Sequence, residues 1–479
     1  VAVTPSRDEG SVEFGLRVEQ VDVVEDHEPA VTTLIDGIRA VLGQAVGTEI
    51  VTAEIRRFTG GASREVYAIH ATDRDGAPVT AVLRRDPPGH GDPARMRAEV
   101  ACLRASAGAG VPVPRVLASG DTAPGIDAPY LLMNTVGGES IPRKLQRNPE
   151  FEAVRADIAD ELGYVLGRIH RTPLDTLTAL DDSDQLDTIE QIYLGFAEPR
   201  PAVEAGLRWL REHRPPPRPV CLVHGDFRLG NLLIDPTGIQ GVLDWELAHL
   251  GDPIEDLGWL CVRAWRFGAS APVGGLGGRE QLLDGYHRAT GDRPSADELH
   301  WWEVFGTLKW LVLSRFQAER HFGGTERSLE LAAIGRRVCE SEFDLIDALD
   351  LLDPAVPGPA PEPPGATVHD RPSVTEILEL VAATLADDIG PALSEDAARQ
   401  RYLLRICVSL LRIGGRELTE TGVRSQVREL LGRVDCISEA ALAEKIRSGA
   451  LSYEEKDVRA AVTATVLARL RASNPGYVA

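Results

Sequence analysis

The stretch LVHGDFRLGNLLIDPTGIQGVLDWELAHLGDP, Leu222 to Pro253, sets four aspartates, one asparagine and two histidines among short apolar runs. Asp226 and Asn231 stand five residues apart, and Asp244 follows the apolar pieces LLID and GVL. A short hairpin over those pieces would return Asp244 to the side of Asn231. Two oxygen-bearing side chains meeting at a strand end suit Mg2+, which takes a few carboxylate or carbonyl oxygens and completes its shell with phosphate and water. Asp226 would stand apart from that pair, free to take a proton from an attacking hydroxyl. Transfer of a phosphoryl group asks a protein chiefly for positioning and charge neutralisation, and this set of groups can supply both.

The elements that must hold these groups are legible on either side. EPAVTTLIDGIRAVLGQAV has apolar residues at helical spacing. TAEIRRFT, REVYAIHAT and VTAVLRRD read as strands joined by the glycine-containing turns GGAS and DRDGAP, an antiparallel meander. GDPARMRAEVACLRASAG reads as a helix, with Asp92 as its cap and Pro93 in its first turn. VPVPRVLASG and APYLLMNTV add two strands, after which the pattern turns helical, as in VRADIADELGYVLGRIHRT. Downstream, ADELHWWEVFGTLKWLVLSRFQAERH and SLELAAIGRRVCESEFDLIDALDLL each read as a helix. DPAVPGPAPEPPGATVHDRP is proline-rich and aperiodic, the natural linker, and only helical patterns follow it. The expected division is an arm (1–28), a β-rich lobe (29–136), a helical lobe (137–352), a linker (353–372) and a separate all-α domain (373–479). A cleft between a β lobe and a helical lobe is a common place for a ligand.

Composition narrows the partners. A formal charge of −22 over 479 residues disfavours nucleic acid or an anionic membrane as the main target, so a phosphate-bearing ligand would need a local basic pocket. The six cysteines are scattered without a C-x-x-C pair, which argues against a zinc site or disulfide framework and fits a reducing, cytoplasmic setting. The opening VAVTPSRDEGSVEFG has no apolar h-region, so no signal peptide is expected, and no apolar run is long enough to span a bilayer.

Three parts, H-G-D-x-x-x-x-N, D-W-E and D-P-x-x-D-L, stand in order in HGDFRLGNLLID…VLDWELAHLGDPIEDLGW. With the β lobe upstream, the chain resembles the aminoglycoside phosphotransferase family, within the choline-kinase-like branch of the protein-kinase-like fold, from about Leu34 to Leu352. The resemblance implies an α+β, bilobal fold, with ATP and Mg2+ as cofactors. It implies Asp226 as the base and Asn231 and Asp244 as the metal pair. FTGGASREVY is similar to the family's nucleotide-covering turn, so Gly60, Gly61 and Ser63 would lie over the phosphates. Arg84, in AVLRRDPPG, stands where kinases usually carry a lysine, and Glu99 fits the helix glutamate that pairs with that cation. Backbone groups around Met133, Asn134 and Val136, in YLLMNTVGG, would carry adenine.

Other residues read as structural. His224 braces the loop in the family, and His170 reads as a packed helix histidine. Asp252 and Asp256 read as capping or bracing acids. His249 is open to either substrate contact or loop packing. VGGLGGRE follows no strand and reads as a loop. Trp301, Trp302 and Trp310 have core spacing, with one of them a candidate for the acceptor pocket. No long segment separates Asp244 from the next helix, whereas protein kinases hold peptides with such a segment, so the acceptor would be a small-molecule hydroxyl.

The segment WWEVFGTLKWLVLSRFQAERHFGG…LELAAIGRRVCESEFDLIDAL resembles kinase domains associated with acyl-CoA dehydrogenases, which implies a hydroxylated, acyl-type metabolite. Two alternatives stay open: an aminoglycoside as acceptor, and a nucleotide-binding sensor without transfer, which Arg84 in the lysine position would suit. The C-terminal helices carry no chemical motif, and a role as scaffold, in self-association or in partner docking is left open for them. Their Arg401, Arg405, Arg412 and Arg416 read as a solvated helix face.

Overall fold

The computed structural model describes residues 21–23, 29–58, 64–326, 328–356, 374–394, 397–419 and 422–477. Contacts gather the chain into two compact units. One takes the described residues of Gly15–Asp184 and Pro216–Glu303, the other those of Gln185–Pro215 and Val304–Ala479.

The first unit is built on a six-stranded antiparallel sheet in the order β1-β2-β3-β4-β6-β5. Its strands are β1 (Val21–Val23), β2 (Ile50–Phe58), β3 (Glu65–Asp73), β4 (Pro78–Arg85), β5 (Val116–Gly120) and β6 (Tyr130–Asn134). Side chains alternate in and out: Tyr67, Ile69 and Ala71 are buried along β3, and Ala81 and Leu83 along β4. Register sets Ile69 opposite both Ile55 and Ala81, so one apolar face is continuous across three strands. Helix α1 (Pro29–Val46) lays Leu34, Ile38 and Leu42 on that face at four-residue spacing. Each such fully buried side chain contributes roughly 1.5–3 kcal/mol. Helix α2 (Pro93–Gly108) starts as expected: Asp92 accepts from the Ala94 and Arg95 amides at 3.0 and 3.2 Å, and Pro93 opens the first turn. Strand β1 was not anticipated; it pairs with β2 inside the segment expected to be an arm. Three residues carry too little pattern for a strand signal.

Helices α3 (Pro142–Arg147) and α4 (Glu152–His170) follow. Two antiparallel ribbons then carry the motif region: β7 (Cys221–Val223) pairs with β10 (His249–Gly251), and β8 (Leu232–Asp235) with β9 (Gly238–Val242). The helix Ile254–Cys261 comes next, and VGGLGGRE forms a loop leading into the helix Arg279–Thr290. That last helix crosses α4 at backbone contact: a Cβ on Gly163 would lie 1.9 Å from the Leu282 carbonyl, and one on Gly285 1.8 Å from that of Asp160. Only glycine fits there. Among the described residues no helix is long and apolar enough to cross a membrane.

The second unit is helical. Ala202 and Ala205 from the helix Pro201–Glu212 and Phe343 and Ile346 from Val338–Ala348 share one apolar cluster with Leu431, Leu442, Ile446, Val458 and Val466. Helices expected to belong to the helical lobe therefore share a core with the C-terminal helices. The linker expected at 353–372 lies, from residue 357 on, outside the described residues. The segment SLELAAIGRRVCESEFDLIDALDLL is not one helix; it breaks at a tight turn over Gly335–Arg337. Arg416, expected on a solvated face, instead donates to the Ala472 carbonyl at 2.6 Å, serving the end of the helix Lys456–Ser473.

Candidate active site

The β8–β9 hairpin sets the geometry. Asp235 accepts from the Thr237 amide at 2.7 Å and closes the turn. Leu232 then faces Val242, and just beyond the ribbon the Leu243 amide donates to the Asn231 carbonyl at 2.8 Å. Asp244 is thus returned beside Asn231, as the spacing predicted. Its backbone is left-handed, φ 65° and ψ 67°, a conformation that a residue other than glycine holds only when its surroundings impose it.

Asp244 meets the end of β4. Arg84 donates from Nη2 to Asp244 Oδ1 at 3.1 Å and from Nη1 to Glu99 Oε1 at 2.5 Å. Glu99 is buried on α2 and also pairs with Arg64, whose Nε donates to Asp86 at 2.9 Å. Asp86 in turn accepts the Asp92 amide at the start of α2, at 2.8 Å. Burial works against the charge of Arg84, but Glu99 and Asp244 raise its pKa above the usual arginine value. Burial alone would raise Asp244 likewise, yet the guanidinium charges of Arg84 and Arg228 hold it below the ordinary aspartate value. Among the described residues, the buried Nε of Arg84 has no hydrogen-bond partner.

Asp226 does not stand apart. It accepts from Asn231 Nδ2 at 2.7 Å, from Trp259 Nε1 at 3.0 Å, and from Arg228 Nε at 3.0 and 3.3 Å to its two oxygens. The tight turn Leu229–Asn231 folds the asparagine back onto the aspartate, so the expected separation of base and metal pair is incorrect. The amide nitrogen of Asn231 is spent on Asp226, leaving its Oδ1 for another ligand. The Arg228 guanidinium lies 4.8 Å from the centre of the Trp265 ring.

Behind this surface stand the bracing groups. Asp256 accepts the His224 and Gly225 amides at 2.8 and 2.9 Å, and His170 Nε2 lies 3.1 Å from its carboxylate. Burial would raise Asp256, but the His170 contact and the nearby imidazoles bring it down to about 2. His224 Nδ1 accepts the Asp226 amide at 3.2 Å, leaving Nε2–H to donate to the Leu243 carbonyl at 3.0 Å. This one imidazole ties the Asp226 loop to the Asp244 loop. Asp252 accepts the Ile254 amide at 2.9 Å. His249 is buried between the Leu247 carbonyl and Glu255, at 3.0 and 3.1 Å, in a packing role. Trp301 and Trp302 are core residues with ring centres 4.8 Å apart, and Trp310 is half-buried.

Of the expected nucleotide contacts, Gly60, Gly61 and Ser63 lie outside the described residues. Met133 is held within the sheet between β4 and β5, and the Asn134 amide donates to the Arg115 carbonyl at 3.1 Å. Arg64, Arg228, Trp259 and Trp265 were not singled out from the sequence. Arg228 had a signal, since it sits inside HGDFRLGN two residues after Asp226; Trp259 closes IEDLGW and reads there as an ordinary core residue.

An antiparallel sheet feeding a helical half, with an aspartate and an Asn/Asp pair at one hairpin, is the fold of kinase-like phosphotransferases. The chain belongs to the phosphotransferase enzyme family, whose pattern matches residues 54–299; residues 393–477 match a domain of unknown function, DUF6285. It is 33% identical to acyl-CoA dehydrogenase family member 10 of Mus musculus over 256 residues, covering 50% of this chain and 23% of that protein. It is 32% identical to family member 11 of Rattus norvegicus over 193 residues, 37% of this chain and 24% of that protein. The chain therefore spans about a quarter of the length of these relatives. Among solved structures, a Ralstonia eutropha protein assigned to the aminoglycoside phosphotransferases shares the fold, with TM-score 0.52 and 22% identity over 66% of this chain and 98% of that one.

Proposed function

We propose that this protein transfers the terminal phosphoryl group of ATP to a hydroxyl of a small molecule, with Mg2+. The observation that carries this reading is the meeting of Asn231 and Asp244 at the β8–β9 hairpin, with Asp226 against them and the Arg84–Glu99 pair beside them. The donor set fits a magnesium ion: Asn231 keeps Oδ1, and Asp244 is held ionised with Oδ2 outside its bond to Arg84. When bound there, the ion would neutralise charge on the phosphates. Asp226, fixed by three donors, takes the proton of the attacking hydroxyl. Arg84, anchored by Glu99, holds the phosphates of the nucleotide. Val136, just past β6, is the backbone proposed to hold adenine.

The surroundings of Asp226 support an acceptor class. A buried guanidinium and two indoles flank the base. A polycationic aminoglycoside would bring positive charge against Arg228, whereas a neutral or carboxylate-bearing hydroxyl compound would not. The relatives named for acyl-CoA dehydrogenases point the same way, toward a hydroxylated acyl-type metabolite. The test offers a panel of hydroxy acids and a panel of aminoglycosides with ATP and Mg2+ and reads phosphorylated product by mass spectrometry. Product from the hydroxy acids alone is expected; product from the aminoglycosides alone would overturn the acceptor class.

A further inference from the structure

The helix Pro201–Glu212 lies within the residues that match the phosphotransferase family, yet one of its faces meets residues that match the domain of unknown function. All of these belong to the helical unit. Glu204, Arg208 and Glu212 stand on that face at four-residue steps, one above the other along the helix. Each meets a C-terminal group. The Glu204 carboxylate accepts from Arg447 at both oxygens, with Nε at 3.0 Å. Arg208 donates from Nη1 to the Ile446 and Leu451 carbonyls at 3.4 and 3.3 Å, and its guanidinium lies 5.6 Å from the centre of the Tyr453 ring. Glu212 accepts from the Tyr453 hydroxyl at 2.7 Å. The same helix presents Ala202 and Ala205, small side chains that share one buried cluster with Leu442 and Ile446 of the helix Glu439–Arg447.

Glu204 shows what this face is built to receive. Its side chain is only 3% exposed, and a carboxylate taken out of water is costly unless it is paired and hydrogen-bonded. The family-matched residues supply the Tyr193 hydroxyl, at 2.7 Å. The counter-charge comes from the C-terminal helices: among the described residues, Arg447 is the one cation that Glu204 pairs with. We propose that residues 393–477 are a docking module, and that the surface they read is a phosphotransferase helix carrying glutamate, arginine and glutamate at four-residue steps beside small residues. The two-point Arg447–Glu204 contact sets the register along that helix. Arg208 adds hydrogen bonds to carbonyls at and just past the end of the helix Glu439–Arg447, and the contact of the alanines with Leu442 and Ile446 supplies apolar area. The docking role is independent of which acceptor the enzyme uses.

The test cuts the covalent link and follows what still holds. A protease site is placed between Val356 and Val374, fluorophores are attached on either side of it, and the full chain is purified whole and then cut. Loss of energy transfer on dilution reports the rate at which the two pieces part. The wild-type pieces should stay together at micromolar concentration. Glu204→Arg sets two arginines against each other and should speed parting by about a hundredfold or more. Adding Arg447→Glu to it should bring the rate back to within about tenfold of wild type, a rescue that general damage to the fold would not allow. Tyr453→Phe removes a single hydroxyl and should speed parting by about two- to tenfold, and it carries the test if Glu204→Arg does not fold. Wild-type pieces that separate at once, a Glu204→Arg or Tyr453→Phe rate equal to wild type, or a double reversal that parts as fast as Glu204→Arg alone would overturn the docking role.

Discussion

Buried charges occur in both units, but they are used differently. In the helical unit Glu204 and Glu342 are spent on internal partners, although among the described residues the buried Nε of Arg336 makes no hydrogen bond there. Glu204 is taken up by Tyr193 at 2.7 Å and by Arg447, and Glu342 lies between Arg200 and Arg469 at 3.1 and 3.3 Å. In the sheet-bearing unit, the charges around the β8–β9 hairpin are paired on one side only. Among the described residues, Arg84 keeps an unbonded Nε and Arg228 two unbonded nitrogens. Satisfied buried pairs specify how helices dock. Half-satisfied ones carry a desolvation cost that a ligand would relieve. The contrast is between Glu204 and Glu342, held by partners on both sides, and Arg84 and Arg228, held on one.

That contrast can be broken or sharpened by substitution. The largest effect is expected for Asp244→Asn: phosphoryl transfer should fall by about a thousandfold or more, and ADP affinity should stop responding to Mg2+ in calorimetry. Glu99→Gln would leave Arg64 and Arg84 facing a neutral group. Removing one partner of a buried pair costs about 3–5 kcal/mol, so denaturant melts should show a loss of that order. In the helical unit, Ile446→Ala should cost about 2–5 kcal/mol by cavity formation, read in the same melts, with ADP affinity unchanged. The smallest effect concerns pH. The folded pKa of Asp256 is lowered to about 2, so its stabilisation is present above the unfolded value near 4 and is lost as pH falls through the folded value. The linked stability is roughly 2 kcal/mol, and Asp256→Asn should flatten the decline in unfolding free energy between about pH 4 and 2.

Much of this was legible from the chain. Alternation in REVYAIHAT and VTAVLRRD marks strands because one sheet face must be apolar, and the spacing of LLID and GVL returns Asp244 to Asn231. Asp92 and Pro93 announce their helix because capping is local chemistry. The rest depends on long-range reach. Trp259 bonds Asp226 from 33 residues away, and Asn231 turns its amide onto Asp226 through a tight turn that no periodicity reveals. Arg416 finds a carbonyl 56 residues on, at the end of another helix. The core shared by Ala202, Phe343 and Ile446 joins segments far apart in sequence, so their helical patterns could be read but not which helices pair.

The account's central claim is transfer from ATP to a hydroxyl, with Asp226 as base. It is tested most directly by following ATP, Mg2+ and a pool of hydroxylated metabolites by phosphorus NMR, with wild type and Asp226→Asn side by side. The account predicts a new phosphomonoester signal growing with ADP in the wild type, slowed by about a thousandfold or more in the variant. A wild type that binds nucleotide and Mg2+ yet forms no phosphomonoester, or a variant that forms it at the wild-type rate, would contradict it.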